Sequence, residues 1–186
     1  MVSGVVTELG SLDVMVANAG LVVVDRVTEA NVEDIDRLLS VNVRGTMLCY
    51  KHAAKQMIAQ GKGGRIIGAS SLAGKKGFGF LFTYTTTKFA VRGLTQSAAI
   101  ELGKYGITVN AYSPGLVDTT MVTTMDNALA PAIGSGTLVK TLETASAIGR
   151  LGTSQDVASL VSYLASPEAS FITGQSVCID GGVHFD

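Results

Sequence analysis

The chain has 186 residues, which at about 150 residues per domain is one domain, long enough to bury a core without disulfide or metal staples. Apolar residues make up 47% and charged residues 16%, against a typical ~25% charged, a balance that excludes disorder. Lys+Arg is 14 and Asp+Glu is 15, a net charge of −1, so no basic surface for a nucleic-acid backbone is expected.

In chain order, Leu12 to Ala17 (LDVMVA) is a short apolar run broken by Asn18-Ala19-Gly20, which predicts a strand covered on both faces. Asn31 to Gln60 predicts one long helix. Asn31 is its N-cap, Glu33 and Asp34 lie in the first turn, and Gly61 to Gly64 stops it. Arg65 to Ala69 is a second strand, followed by a glycine-rich loop from Ser70 to Phe82. Tyr84 to Lys104 is helical, with Ala90, Leu94, Ala98 and Leu102 at four-residue spacing, and Gly106 ends it. Ile107 to Tyr112 is a third strand, stopped by Pro114-Gly115. The polar stretch from Val117 to Thr153 is expected to be mobile. A short helix, Gln155 to Ala165, and a last strand, Gln175 to Ile179, close the chain before Asp180-Gly181-Gly182, which reads first as a structural turn. Alternation of this kind predicts an α/β fold with a parallel sheet and helices on both faces, residues 1–186 forming a single domain.

Glycine, at 22 residues, is above the usual share, and no low-complexity tract absorbs it. Cys49 and Cys178 lie far apart in apolar segments, and with His52 and His184 as the only histidines no metal cluster can be written. Met1 to Gly10 has no basic start followed by an apolar core, and no run of ~18 apolar residues follows anywhere. The expectation is therefore a reducing, cytoplasmic setting with no membrane partner.

Tyr84 and Lys88 stand one above the other on a helix, four residues apart. In isolation such a pair is a surface tyrosine beside a solvated lysine. In a cleft, an ammonium beside a phenol lowers the phenol's pKa toward the working range of a proton donor. Ser71 follows a strand thirteen residues before Tyr84. Asn18 and Pro114-Gly115 also follow strands, and ligands of parallel sheets gather beyond the carboxyl ends of the strands. No Ser-His-acid set and no G-x-S-x-G elbow is present, which disfavours a hydrolase.

Together these residues resemble the short-chain dehydrogenase/reductase family: Asn18-Ala19-Gly20, Asn42 in SVNVRG, Ser71 in GASSLAG, Tyr84-Thr-Thr-Thr-Lys88, Pro114-Gly115 with Thr119, and ITGQSVCIDGG. Within it, TKFAVRGLTQ, ITVNAYSPGLVDT and SYLASPEASFITGQ are most similar to the acetoin/diacetyl reductase and butanediol dehydrogenase group. The resemblance implies a Rossmann-like fold and hydride transfer between NAD or NADP and a small carbonyl or alcohol of the diketone or hydroxyketone class. It implies a catalytic set: Tyr84 exchanging the proton, Lys88 tuning it and holding the nicotinamide ribose, Ser71 polarising the carbonyl, and Asn42 holding a relay water. Ser70 is the less favoured serine. Asn18, Ala19, Gly20, Tyr84, Lys88, Pro114, Gly115, Val117 and Thr119 would line the cofactor cleft. Asn18 also reads as a strand-end brace and Asn42 as a mid-helix kink. Family members commonly form tetramers, so a homo-oligomer through the two long helices is expected.

The family's opening strand and TGxxxGxG turn are not found ahead of Leu12, where only Gly4 and Gly10 occur. No segment that distinguishes NAD from NADP is present either. The expectation is an N-terminally truncated member lacking the first three strands, with the strand at Leu12 left as a bare apolar edge. The alternative is a catalytically silent remnant that acts, if at all, as an interaction module through that edge.

Overall fold

The structure is a computed structural model and describes residues 1–185. Four short strands carry its sheet: β1 (Val14–Ala17), β2 (Gly64–Ala69), β3 (Ile107–Pro114) and β4 (Ser176–Ile179). They lie in the order β1-β2-β3-β4 and every pairing is parallel. In the register, Val16 sits beside Ile67, Ile67 beside Asn110, and Tyr112 beside Val177. Parallel neighbours need crossovers, and the chain supplies a helical one between each pair.

Between β1 and β2 run α2 (Val32–Leu38) and α3 (Thr46–Gln60). Asn31 caps α2 as its residue type predicts, its side chain accepting from the Asp34 N–H at 2.8 Å. The single long helix expected here is interrupted by a π-helical turn at Leu39–Gly45, which inserts one extra residue per turn without ending the helix. Gly61, at φ 67°, closes α3 in a left-handed conformation that favours glycine.

α4 (Phe82–Leu102) leads into β3, and α7 (Ser154–Ala165) precedes β4. Thr153 and Asp156 form a reciprocal capping box at the start of α7. One face of the sheet is covered by α3 and α4, where Met15, Tyr50, Met57, Ile66, Ala99 and Val109 form the main core cluster. On the other face Ile67 and Tyr112 pack against Leu164 of α7. Helices on both faces of a parallel sheet are thus observed as expected.

Three regions differ from the sequence expectation. Residues Val2–Leu9 form a helix, α1, whose Val2, Val5 and Val6 pack on the main core. The stretch Val117 to Thr153, read as mobile, contains two helices, α5 (Thr120–Ile133) and α6 (Thr137–Ala145). Asp126 joins them, its carboxylate accepting from the Gly136 N–H at 2.7 Å and the Leu138 N–H at 3.2 Å. Finally, β1 is covered on one face rather than two. Met15 and Ala17 are buried, while Val14 and Val16 remain 38% and 40% exposed at the sheet edge.

A helix side chain packs directly on the sheet backbone at Gly68. A Cβ built there would lie 2.2 Å from the Tyr50 hydroxyl and 3.3 Å from Val91. That hydroxyl is buried and bonded to Thr95 at 3.0 Å, and burial holds the Tyr50 pKa up at about 12. Replacing Gly68 by Ala is expected to eject Tyr50 from Thr95 and destabilise the fold by about 2–4 kcal/mol. A fall in the urea midpoint with an unchanged slope would report this; an unchanged midpoint would contradict it.

Candidate active site

The carboxyl ends of all four strands open on one cavity of about 880 Å³. Asn18, Ala19 and Gly20 follow β1, Ser70 and Ser71 follow β2, Pro114 ends β3 with Gly115 behind it, and Asp180 follows β4. Tyr84 and Lys88, in the first two turns of α4, face the same cavity, as do Val117 and Thr119. Asn18, Ala19, Gly20, Tyr84, Lys88, Pro114, Gly115, Val117 and Thr119 thus line one cavity, from three separate parts of the chain.

Asn42 is placed differently. It is buried behind the cavity in the π-helical turn, and its side chain clamps two segments. Its Oδ1 accepts from the Leu21 N–H at 2.8 Å, and its Nδ2 donates to the Leu21 carbonyl at 2.9 Å and to the Thr87 hydroxyl at 3.0 Å. Gly20 lies close to both Asn42 and Lys88. A Cβ there would lie 3.3 Å from the Lys88 Nζ and 3.4 Å from the Asn42 Oδ1, so glycine lets both groups approach the strand end.

The two serines are separated by their partners. Ser70 is buried, and its hydroxyl donates to the Lys88 carbonyl at 3.1 Å. Ser71 caps the short 3-10 turn Leu72–Gly74 by accepting from the Ala73 N–H at 3.1 Å, and it lies on the cavity beside the Tyr84 phenol, whose pKa it pulls down. Lys88 donates from Nζ to the Ala69 carbonyl at 2.9 Å and sits 5.4 Å from the centroid of the Tyr84 ring. Ser71, Tyr84 and Lys88 thus form one cluster.

Burial governs the titration of this cluster. It pushes the Tyr84 phenol above its usual range, with the Ser71 side chain pulling the other way, and it pushes the Lys88 ammonium down to about 8. Each group is driven toward its neutral form by loss of water. The Tyr84 phenol is thus raised by desolvation, where the spacing to Lys88 led to an expectation of lowering.

Sequence reasoning missed two polar supports and one wall. Tyr112, at the end of β3, donates its hydroxyl to the Asn18 Oδ1, spanning β2 and fixing the carboxamide. Burial, with Tyr84 nearby, holds its pKa up at about 12. Asp25 is buried at the start of α4, accepting from the Thr83 N–H at 3.1 Å and from the Thr83 hydroxyl. A lone acid in the apolar run VVVDRV was the available signal. The wall is apolar: Phe78 and Phe80 from the loop before α4, Met121 and Met125 from α5, and Leu138 and Leu142 from α6. Among the described residues no group of three His, Cys, Asp or Glu could hold a metal ion, and no helix is long and apolar enough to cross a membrane.

Comparison with known proteins places this geometry among oxidoreductases. Residues 1–184 match the family model described as enoyl-(acyl carrier protein) reductase. A short-chain dehydrogenase/reductase of Armillaria gallica is 52% identical over 186 residues, which is 100% of this chain and 70% of that protein. A diacetyl reductase [(S)-acetoin forming] of Staphylococcus epidermidis is 43% identical over 188 residues, covering 100% of this chain and 73% of the relative. Among solved structures, ElxO with NADP bound superposes with a TM-score of 0.86 at 34% identity, over 97% of this chain and 71% of that one.

Proposed function

The chain belongs to the short-chain dehydrogenase/reductase family, and from that membership we infer that its cleft interconverts an uncharged carbonyl compound and an alcohol with NAD or NADP. The observation that carries the reading is the meeting of Ser71, Tyr84 and Lys88 at the strand ends. Each has the chemistry its role requires. Ser71 donates to the substrate oxygen and polarises the carbonyl. Tyr84 is kept protonated by burial and so holds the proton that the oxygen takes up in reduction.

The donor set suits the nicotinamide riboside half of such a cofactor. The Lys88 amine and the Tyr84 hydroxyl can bind ribose hydroxyls. The Asn18 carboxamide, with its oxygen committed to Tyr112, offers its NH2 group. Pro114, Gly115, Val117 and Thr119 line the same cavity. When bound, the reduced nicotinamide supplies the hydride that the carbonyl carbon receives. Asn42 stands as the positioning residue that ties Leu21 to α4 through Thr87, and a relay water beside it is part of the same proposal. The name of the Staphylococcus epidermidis relative supports diketones and hydroxyketones as the small-molecule limit of the substrate class.

The reading extends to assembly and location. α3 exposes Met47 and Leu48, and α4 exposes Phe89 and Ile100, which supports a homo-oligomer built on those two helices, a tetramer by family resemblance. A cytoplasmic setting suits a nicotinamide-dependent reaction. A second reading, a non-catalytic module that pairs through the edge of β1, draws support from the exposure of Val14 and Val16. A titration with NADH and NADPH, followed by reduction of 2,3-butanedione, separates the two. Micromolar binding with turnover supports the oxidoreductase, and neither binding nor turnover supports the module.

The serines give an internal control. Ser71→Ala is expected to lower kcat by about 10²-fold through loss of the donor on the developing oxyanion. Ser70→Ala removes only a bond to the α4 backbone, costs about 1 kcal/mol of stability, and leaves turnover near that of the parent. Equal kinetic losses in the two variants would refute the assignment.

A further inference from the structure

The cavity is chemically lopsided. Of its lining residues three carry charge: Lys88, Arg150 and Asp180. Lys88 is bonded to the Ala69 carbonyl. Arg150 is held by both oxygens of Asp156, at 2.8 and 3.2 Å. Asp180 accepts from the N–H groups of Gly182 and His184 at 3.0 and 2.9 Å. None of the three lies on the loop before α4, on α5 or on α6.

Those three segments contribute Phe78, Phe80, Met121, Met125, Leu138 and Leu142, all packed in the same apolar cluster as Tyr84. The wall is built into the fold, because the buried Asp126 carboxylate fixes the corner from which α6 leaves α5. A four-carbon diketone would leave much of this surface facing water. Lys76, whose Nζ stands 5.5 Å from the centroid of the Phe78 ring, is not among the residues that line the cavity.

We propose that the preferred substrate of this cleft is an uncharged ketone, or the matching secondary alcohol, whose carbonyl carries a hydrocarbon flank of about six to ten carbons packed on that wall. This rests on the oxidoreductase reading and deepens it. In reduction the C=O π bond breaks, the carbon gains a hydride from the reduced nicotinamide, and the oxygen gains the Tyr84 proton. The nicotinamide is left oxidised, and solvent returns a proton to the phenolate. The flank takes no part in these bonds, so it acts through binding and placement. The two methionines have the flexible side chains that let one wall accept flanks of different shape.

The test is a substrate series with NADH and with NADPH: 2,3-butanedione, 2-hexanone, cyclohexyl methyl ketone, 2-decanone, and 4-oxopentanoate as the anionic control. Transfer of each methylene to the wall is expected to raise kcat/KM by up to about fourfold, so 2-decanone and cyclohexyl methyl ketone exceed 2,3-butanedione by tens of fold or more. 4-Oxopentanoate is expected to be the poorest. Leu142→Gln and Phe80→Ala, at half-buried positions, should flatten the series, lowering kcat/KM for 2-decanone and cyclohexyl methyl ketone more than for 2,3-butanedione. A flat series with good 2,3-butanedione turnover overturns the proposal and leaves the oxidoreductase reading standing. Absence of turnover with every ketone counts against that reading instead. The proposal is then decided by the rise in melting temperature with 2-hexanol and 2-decanol, which needs no chemistry: a larger rise with 2-decanol supports it, and equal or no rise overturns it.

Discussion

Tyr84→Phe is expected to reduce carbonyl turnover by about 10³-fold or more while weakening nicotinamide affinity by no more than about tenfold, the loss of one ribose hydrogen bond. The variant keeps the ring, its place in the apolar cluster and its contact with Lys88, and loses only the hydroxyl that meets Ser71. Comparison of kcat with the dissociation constant for NADH or NADPH checks this, and retention of full turnover would remove Tyr84 from its role. The same hydroxyl sets a pH signature. Burial keeps the phenol protonated well into the alkaline range, so reduction has its proton at neutral pH. Alcohol oxidation needs the phenolate, and its kcat/KM should rise with pH where that of reduction does not.

Lys88→Met is expected to abolish turnover and to make the protein more stable at neutral pH. Lys88 is 4% exposed, and burial lowers its pKa from 10.5 to about 8. Between those values the unfolded chain binds the proton more readily than the folded one, so stability climbs as pH rises from about 8 toward 10.5. Below about 8 the full penalty is present, on the order of 3 kcal/mol. Methionine removes that penalty but forfeits the bond to the Ala69 carbonyl, worth about 1–2 kcal/mol. The net is a rise in Tm of a few degrees at pH 7, shrinking at pH 10. A lower Tm at pH 7 would mean that the ammonium supports the fold, against this account. Stability alone would favour an apolar side chain at this position.

The four strands were legible because a strand in a parallel sheet is a short apolar run between glycine or proline stops, and LDVMVA, RIIGA and ITVNAY all read that way. The site was legible for a related reason: parallel sheets deliver the residues after each strand to one rim, so Asn18, Ser71 and Pro114 could be placed together before any coordinates. What escaped depended on tertiary packing. α5 carries Pro131 and a threonine-rich start, weak helix formers that are held in place by the Asp126 link and the contacts around Tyr84. α1 includes Gly4 and is only eight residues long, marginal in isolation. The titration of Tyr84 was misjudged because spacing on a helix shows which groups are neighbours and says nothing about how dry their surroundings are. Tyr112 was read as the end of a strand, and its partner Asn18 lies two strands away.

The π-helical turn at Leu39–Gly45 bears on which length changes this helix can absorb. Deleting one residue there would let the backbone relax to regular i→i−4 bonding, a local gain. It would leave the two flanks nearly in phase, because a π turn accommodates an extra residue and its loss restores the regular helix, but it would re-aim the residues of the turn itself, Asn42 among them. Asn42 could then no longer reach Leu21 on one side and Thr87 on the other. The irregular turn therefore sets the aim of one carboxamide, and a shortening that looks harmless in a helix would uncouple the loop after β1 from the helix that bears Tyr84.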